Sequence, residues 1–306
     1  MNLESAPHGM PTGYAGQAAT KPPNWHGYVV LDALLNNLST GLFLVAGIAE
    51  LVRPAAFSGL ARVAYPIALL FLIGDLVCLV LDLGDPLRFH HMLRVWKPNS
   101  PMSLGTWCLT AYAAFLTGLT LVSLWPDSGG GLEWLRRLLI LLGLVPAAGA
   151  AVYKGVLFST TAQPGWRDAR WLGGYFSCSA LGAGTGQLLL LAILTGRPEA
   201  TAALRLALFL ILVLLLVALV LLLAELRESL SRVHRAGYLA IIGAVTIFVG
   251  VLLPLGLLAL GAPRALVAAV LLAIAGAGAV RYEIVRLPHL LVEASGRREP
   301  LARAKS

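Results

Sequence analysis

Long runs of apolar residues, separated by short polar connectors, make up most of the chain. A helix needs about 20 residues to cross the hydrocarbon core of a bilayer, and eight runs are of about that length. They cover residues 28–50, 60–81, 105–125, 134–158, 171–195, 204–224, 238–260 and 264–281. Transmembrane β-strands would instead alternate in polarity over about ten residues, whereas segment 206–223 contains no polar residue. The pattern predicts an all-α integral membrane protein, a bundle of eight transmembrane helices with both termini on the same side.

Composition supports a membrane protein. The chain is 58% hydrophobic and 12% charged, with a mean hydropathy of +0.81, whereas soluble domains carry about 25% charged residues. Its net charge of +8 lies in the connectors and ends, where it can meet the lipid bilayer or an acidic partner. Nucleic-acid binding would need that charge on a soluble domain, which the pattern does not provide. We expect a flexible tail at 1–24, a transmembrane domain at 25–292 and a second flexible tail at 293–306.

The two sides of the bundle differ in their connectors. Eight crossings place both termini and the connectors 82–104, 159–170 and 225–237 on one side, which we call face A; the opposite side is face B. Lys and Arg are more numerous on face A, counting Lys154 and Arg281 there and Arg136 on face B. Because most of the excess lies in the two tails, the positive-inside rule leaves the orientation open.

Carboxylates inside the apolar runs are candidates for function. Each costs on the order of 2.5–3.5 kcal/mol to place in a membrane span, and Asp32 and Asp75 both lie in predicted helices. Asn36 follows Asp32 by four residues and shares its helix face, while Asp82 follows Asp75 by seven and lies on nearly the same face. This polar line toward face A favours a proton relay or the wall of a ligand site. A structural hydrogen bond or ion pair between helices remains the alternative.

Resident redox cofactors are not expected in this chain. A haem held between helices needs axial ligands, usually histidines, that project into the bundle, and no histidine lies in the middle of a predicted span. The three cysteines, Cys78, Cys108 and Cys178, have no metal-binding spacing. We therefore expect neither a haem, nor an iron–sulfur cluster, nor another metal site here.

The connector between the second and third helices carries the most distinctive motif. It is LDLGDPLRFHHMLRVWKPNSPMSLGTW (81–107), and it is supported by YKGVLFSTTAQPGWRDARW (153–171) after the fourth helix and GAGAVRYE (276–283) in the eighth. These strings resemble the NrfD/PsrC family over nearly the whole chain. The resemblance implies a quinone-reactive membrane anchor of a prokaryotic complex similar to polysulfide, tetrathionate or nitrite reductases, located in the plasma (inner) membrane.

The resemblance also implies cofactors and partners. Such a subunit takes a quinone, menaquinone or ubiquinone, as its substrate. It exchanges electrons with a docked ferredoxin-like iron–sulfur subunit and exchanges protons with the solvent. A molybdopterin-type or multihaem catalytic subunit is expected beyond the iron–sulfur subunit.

The expected site residues follow from the same match. Quinone binding is carried onto His26 and Tyr153, with Asn36 beside them. Proton transfer is expected of Asp32, Asp75 and Asp82. Arg88, Arg94 and Lys97 are expected to dock the partner, and the two arginines could instead keep the carboxylates ionised. A secondary transporter or a purely structural membrane anchor remains the alternative, although interrupted helices or internal repeats, typical of transporters, are not evident.

Overall fold

A computed structural model describes residues 27–83, 85–125, 131–233 and 243–303, with side chains up to residue 292. Over these ranges the protein is helical, and eight helices are long and apolar enough to cross a membrane. They are α1 Gly27–Val52, α2 Pro54–Leu81, α3 Pro101–Leu124, α4 Glu133–Ser159, α5 Leu172–Leu194, α6 Pro198–Val233, α7 Gly243–Leu260 and α8 Pro263–Arg303. The predicted all-α membrane bundle is confirmed.

Two helices extend well beyond the predicted spans. α6 has 36 residues and α8 has 41, which at about 1.5 Å per residue exceeds the roughly 30 Å hydrocarbon core. Hydropathy located only the part of each helix that fits within lipid, because both continue into polar sequence. α8 thereby includes residues 293–303 of the predicted C-terminal tail. The predicted tail at 1–24 lies outside the described residues.

The centre of the bundle is built from α1 and α5, the two most buried spans. α1 packs against α2, α4, α5 and α8. Small residues allow the close approach of α1 and α5, because a Cβ added at Gly41 or Gly184 would overlap backbone atoms of the facing helix. Polar side chains on α1 therefore face other helices rather than lipid.

The connector between α2 and α3 folds over face A. It forms a 3₁₀-helix, Pro86–Arg94, whose residues are partly or fully exposed. Ser100 then caps α3, its hydroxyl accepting a hydrogen bond from the Ser103 amide at 3.5 Å. Pro101 is the first residue of α3, where proline's missing N–H costs nothing. The connector is thus held at the ends of the two helices it joins.

Candidate functional site

A cavity of about 390 Å³ lies at the face A end of α1, α2, α3 and α4. This volume falls within the roughly 300–1,000 Å³ typical of small-molecule sites. Aliphatic, aromatic and methionine side chains form most of its wall, and Phe89 and Met92 of the 3₁₀-helix contribute to it. The polar lining residues are Asp32, Asp82, Thr106, Thr110, Tyr153 and Lys154. A mainly apolar cavity with a few polar groups suits an amphipathic, membrane-soluble ligand.

A buried ionic cluster forms the inner wall of this cavity. Lys154 Nζ lies 2.7 Å from Asp32 Oδ1 and 2.7 Å from Asp75 Oδ1. Lys154 also donates to the Asp32 carbonyl at 3.2 Å, and Asn36 Nδ2 donates to Asp75 Oδ2 at 3.1 Å. We call Lys154, Asp32 and Asp75 the Lys154 triad. Its residues are almost completely buried, yet Asp32 and Lys154 also reach the cavity.

Helical spacing on α1 and α4 produces this geometry. Asp32 and Asn36 are one turn apart, so both face α2 and α4. Tyr153 and Lys154 are consecutive, and the ammonium lies 5.7 Å from the centroid of the Tyr153 ring. Gly105 of α3 leaves room for that ring, because a Cβ there would overlap its atoms. Tyr153, Lys154 and Asp32 therefore share one wall of the cavity.

The predicted site residues separate into four groups. Asp32, Asp82 and Tyr153 line the cavity, whereas Asn36 and Asp75 lie behind that wall. His26 lies outside the described residues. The three cationic residues predicted to dock a partner are exposed on the connector and do not line the cavity: Arg88, Arg94 and Lys97.

Two expectations change at this point. Asn36 was expected to bind the ligand, but it is 2% exposed and its amide is directed to Asp75. Arg88 and Arg94 were the alternative source of positive charge for the aspartates, but Lys154 supplies it to Asp32 and Asp75. Arg88 pairs instead with Asp85 at 2.9 Å on the surface. Lys154 was assigned to face A because it lies near the end of an apolar run, whereas packing turns its side chain inward.

A second ionic cluster lies toward face B. Arg136 Nη2 is 2.5 Å from Glu50 Oε1, and its Nη1 donates to Ser123 Oγ at 2.8 Å. The Tyr65 hydroxyl donates to the other Glu50 oxygen at 2.5 Å. All four residues are buried. Arg136 lies toward face B, where it was counted, but its side chain is inside the bundle. The cluster joins α1, α2, α3 and α4 at the end of the bundle opposite the cavity.

Arg281 of α8 was counted toward face A, and its side chain is fully buried. Its guanidinium donates to Asn37 Oδ1 at 2.7 Å, to the Ala33 carbonyl at 3.2 Å and to Ser179 Oγ at 3.2 Å. It also lies 4.5 Å from the centroid of the Phe176 ring. Arg281 therefore ties α8 to α1 and α5.

Known protein families supply an independent comparison. The family described as "Polysulphide reductase, NrfD" matches residues 17–292, nearly the whole chain. A search of curated proteins gave no match. The match includes α1 to α7, α8 up to residue 292, the cavity and both ionic clusters. The chain therefore belongs to the NrfD polysulphide reductase family and is a multi-pass membrane subunit of a respiratory oxidoreductase complex.

Proposed function

We propose that the face A cavity binds a quinone or quinol, menaquinone or ubiquinone, and that the protein exchanges electrons between the membrane quinone pool and a docked partner. The single observation that carries this proposal is the mainly apolar cavity of about 390 Å³ that ends at Asp32, Lys154 and Tyr153. A quinone needs apolar contacts for its ring and tail and polar contacts for its two oxygens. The cavity offers both, within the membrane domain.

The polar wall suits the protons of the reaction. Oxidation of a quinol to a quinone releases two electrons and two protons. One hydroxyl, placed within about 2.7–3.0 Å of its partners, can donate its proton to the Asp32 carboxylate while Tyr153 holds the oxygen. Asp75 and Asn36 then position Lys154 and Asp32 rather than contact the ligand. His26 remains the proposed partner of the second oxygen, since its unperturbed pKa of about 6.5 suits proton transfer.

Asp82 provides a proposed route for the protons to leave. It lies at the C-terminal end of α2 and also lines the cavity. A proton released at Asp32 can therefore pass along the cavity toward face A. In quinone reduction the same groups deliver protons in the opposite direction.

The electrons need an acceptor outside this chain. We propose a ferredoxin-like iron–sulfur subunit that docks on the connector through Arg88, Arg94 and Lys97 and takes the two electrons one at a time. A molybdopterin-type or multihaem catalytic subunit would lie beyond it, and the complex would reside in the plasma membrane of a prokaryote. The connector that carries these exposed cations also contributes Phe89, Met92 and Leu93 to the cavity wall, which supports docking of the partner beside the cavity.

The test is quinol-dependent reduction of the partner's iron–sulfur centres in the detergent-purified complex. Positioned acid–base groups contribute about 10²–10⁴-fold to rates, so Asp32→Asn should lower the rate at least tenfold, and Tyr153→Phe and His26→Ala should also lower it. Tyr282→Phe is the matched control, because Tyr282 is exposed on α8. Wild-type rates and inhibitor sensitivity in both Asp32→Asn and Tyr153→Phe would exclude this site. That result would favour a transporter or a structural anchor.

A further inference from the structure

Buried charge in the membrane domain is balanced only when Arg281 is included. In the part of the chain whose side chains are described, the buried acidic and basic residues are Asp32, Glu50, Asp75, Arg136, Lys154 and Arg281. Glu50 and Arg136 neutralise each other in one ion pair. The Lys154 triad, by contrast, has two carboxylates for one ammonium. With all groups ionised, the triad has one excess negative charge, and Arg281 has the one remaining positive charge.

Arg281 approaches the triad through the backbone of α1. Lys154 donates to the carbonyl of Asp32, and Arg281 donates to the carbonyl of the next residue, Ala33. One turn later the pattern repeats, with Asn36 bonded to Asp75 and Asn37 bonded to Arg281. The same turn of α1 is therefore held between two buried cations, one from α4 and one from α8.

Neutral partners surround the guanidinium. Its hydrogen bonds go to carbonyls, an amide oxygen and a hydroxyl, its π contact is Phe176, and the phenol of Tyr175 lies beside it. Within the described residues, no carboxylate lies within ion-pair distance of it. A buried cation is costly in a membrane unless its charge is compensated. Among the buried ionic clusters of the described residues, the triad is the one with an unmatched negative charge.

We propose that Arg281 is the counter-charge of the Lys154 triad, a positioning residue that holds Asp32 ionised and ready to accept a proton at the cavity. The counter-charge proposal rests on the proposed function only for its statement about proton transfer to Asp32. The charge pairing itself can be tested without a quinone, so the failure of one idea can be told from the failure of the other.

Thermal unfolding of the purified protein tests the charge pairing. Arg281→Met leaves one excess buried negative charge and Asp75→Asn leaves one excess positive charge, so each should lower the melting temperature. The double variant restores the charge balance. Its decrease in melting temperature should be smaller than the sum of the two single decreases by about 3 °C or more. Strictly additive losses would overturn the proposal.

A second double variant is the control for net charge alone. Arg281→Met with Glu50→Gln has the same net charge as the first double variant, but Glu50 lies about 25 Å along α1 from Ala33 and pairs with Arg136. The decreases in melting temperature of the two single variants, Arg281→Met and Glu50→Gln, should add in this double variant. An equal rescue by Glu50→Gln would show that the effect is not local to the triad and would also overturn the proposal.

The pH dependence of quinol oxidation tests the effect on Asp32. The titratable groups near the triad are Cys78 of α2, Tyr112 of α3 and Tyr153 of α4, and Asp82 of α2 lines the same cavity. Removing a positive charge from the other side of α1 makes an ionised carboxylate less favourable, so the acidic limb of the profile should move up by on the order of one pH unit in Arg281→Met. Arg281→Lys keeps the charge and should retain most of the wild-type profile.

Arg286→Met is the matched kinetic control, because this arginine lies on the same helix but is exposed. A lower rate in Arg281→Met with an unmoved acidic limb, or an equal shift in Arg281→Lys, would mean that Arg281 only packs α8 against α1. If the unfolding coupling holds while Asp32→Asn and Tyr153→Phe both leave quinol oxidation unchanged, the counter-charge proposal is supported and the quinone site is excluded.

Discussion

Lys154 of α4 and Asp75 of α2 form an ion pair of 2.7 Å inside the bundle, with Asp75 completely buried. The same ammonium bonds Asp32 of α1, so one side chain joins three transmembrane helices beside the cavity. Removing one partner of a buried pair typically costs about 3–5 kcal/mol, because the other charge is left uncompensated.

Lys154→Met should therefore destabilise the protein strongly, by about 3–5 kcal/mol, since it leaves two buried carboxylates without their cation. Thermal unfolding of the detergent-purified protein measures this. Lys97→Met removes the same charge from the exposed connector and should leave the melting temperature unchanged. Similar small effects for both variants would show that the triad contributes little to stability.

The Glu50–Arg136 pair should matter for stability and not for quinol chemistry. Arg136→Met strands a buried carboxylate, so it should lower the melting temperature, and adding Glu50→Gln should recover part of the loss. The quinol-oxidation rate per folded complex should stay close to that of the wild type, because the pair lies at the other end of the bundle. A large loss of rate at unchanged stability would instead place this cluster on the proton path.

Gly105 should control the position of Tyr153. A Cβ at Gly105 would overlap the Tyr153 ring, so Gly105→Ala should displace the phenol and raise the KM for quinol. Gly118→Ala is the matched control on α3, because a Cβ there would meet Leu139 at an ordinary 3.7 Å. Equal kinetics in the two variants would argue that the phenol has no part in binding.

Docking of the partner should depend on charge at the connector. Arg88→Glu combined with Arg94→Glu should weaken association with the iron–sulfur subunit, and the loss should shrink as salt rises, since exposed charges are screened. Arg264→Glu, an exposed site at the start of α8, is the control. Pull-down of the partner over a salt series measures the effect, and an unchanged association in the double variant would move the docking surface elsewhere.

The sequence predicted the eight helices because spans of apolar residues are a local property. It also identified Asp32 and Asp75, since carboxylates are rare in membrane spans. The cavity could not be predicted from the sequence, because it depends on how the ends of four helices pack. The extensions of α6 and α8 were missed for a different reason. Hydropathy detects segments that lie in lipid, and it does not detect helical conformation in polar sequence.

The burial of three cationic side chains was not predicted. Lys154, Arg136 and Arg281 each lie near the end of an apolar run, where a basic residue is ordinarily taken as part of a connector. Their direction depends on which faces of the helices meet, which no single segment determines. The sequence did contain one clue. Two carboxylates in membrane spans require a compensating positive charge nearby, and Lys154 is the basic residue next to Tyr153, which was predicted to bind the quinone.

Filling the cavity with a larger side chain tests whether a quinone binds there, because it leaves every polar group in place. Ala113 lines the cavity and the next residue of α3, Ala114, is exposed. Binding of a fluorescent naphthoquinone analogue to the purified protein should be weakened at least tenfold by Ala113→Phe and unaffected by Ala114→Phe. Wild-type affinity in a folded Ala113→Phe protein would contradict a quinone site in this cavity.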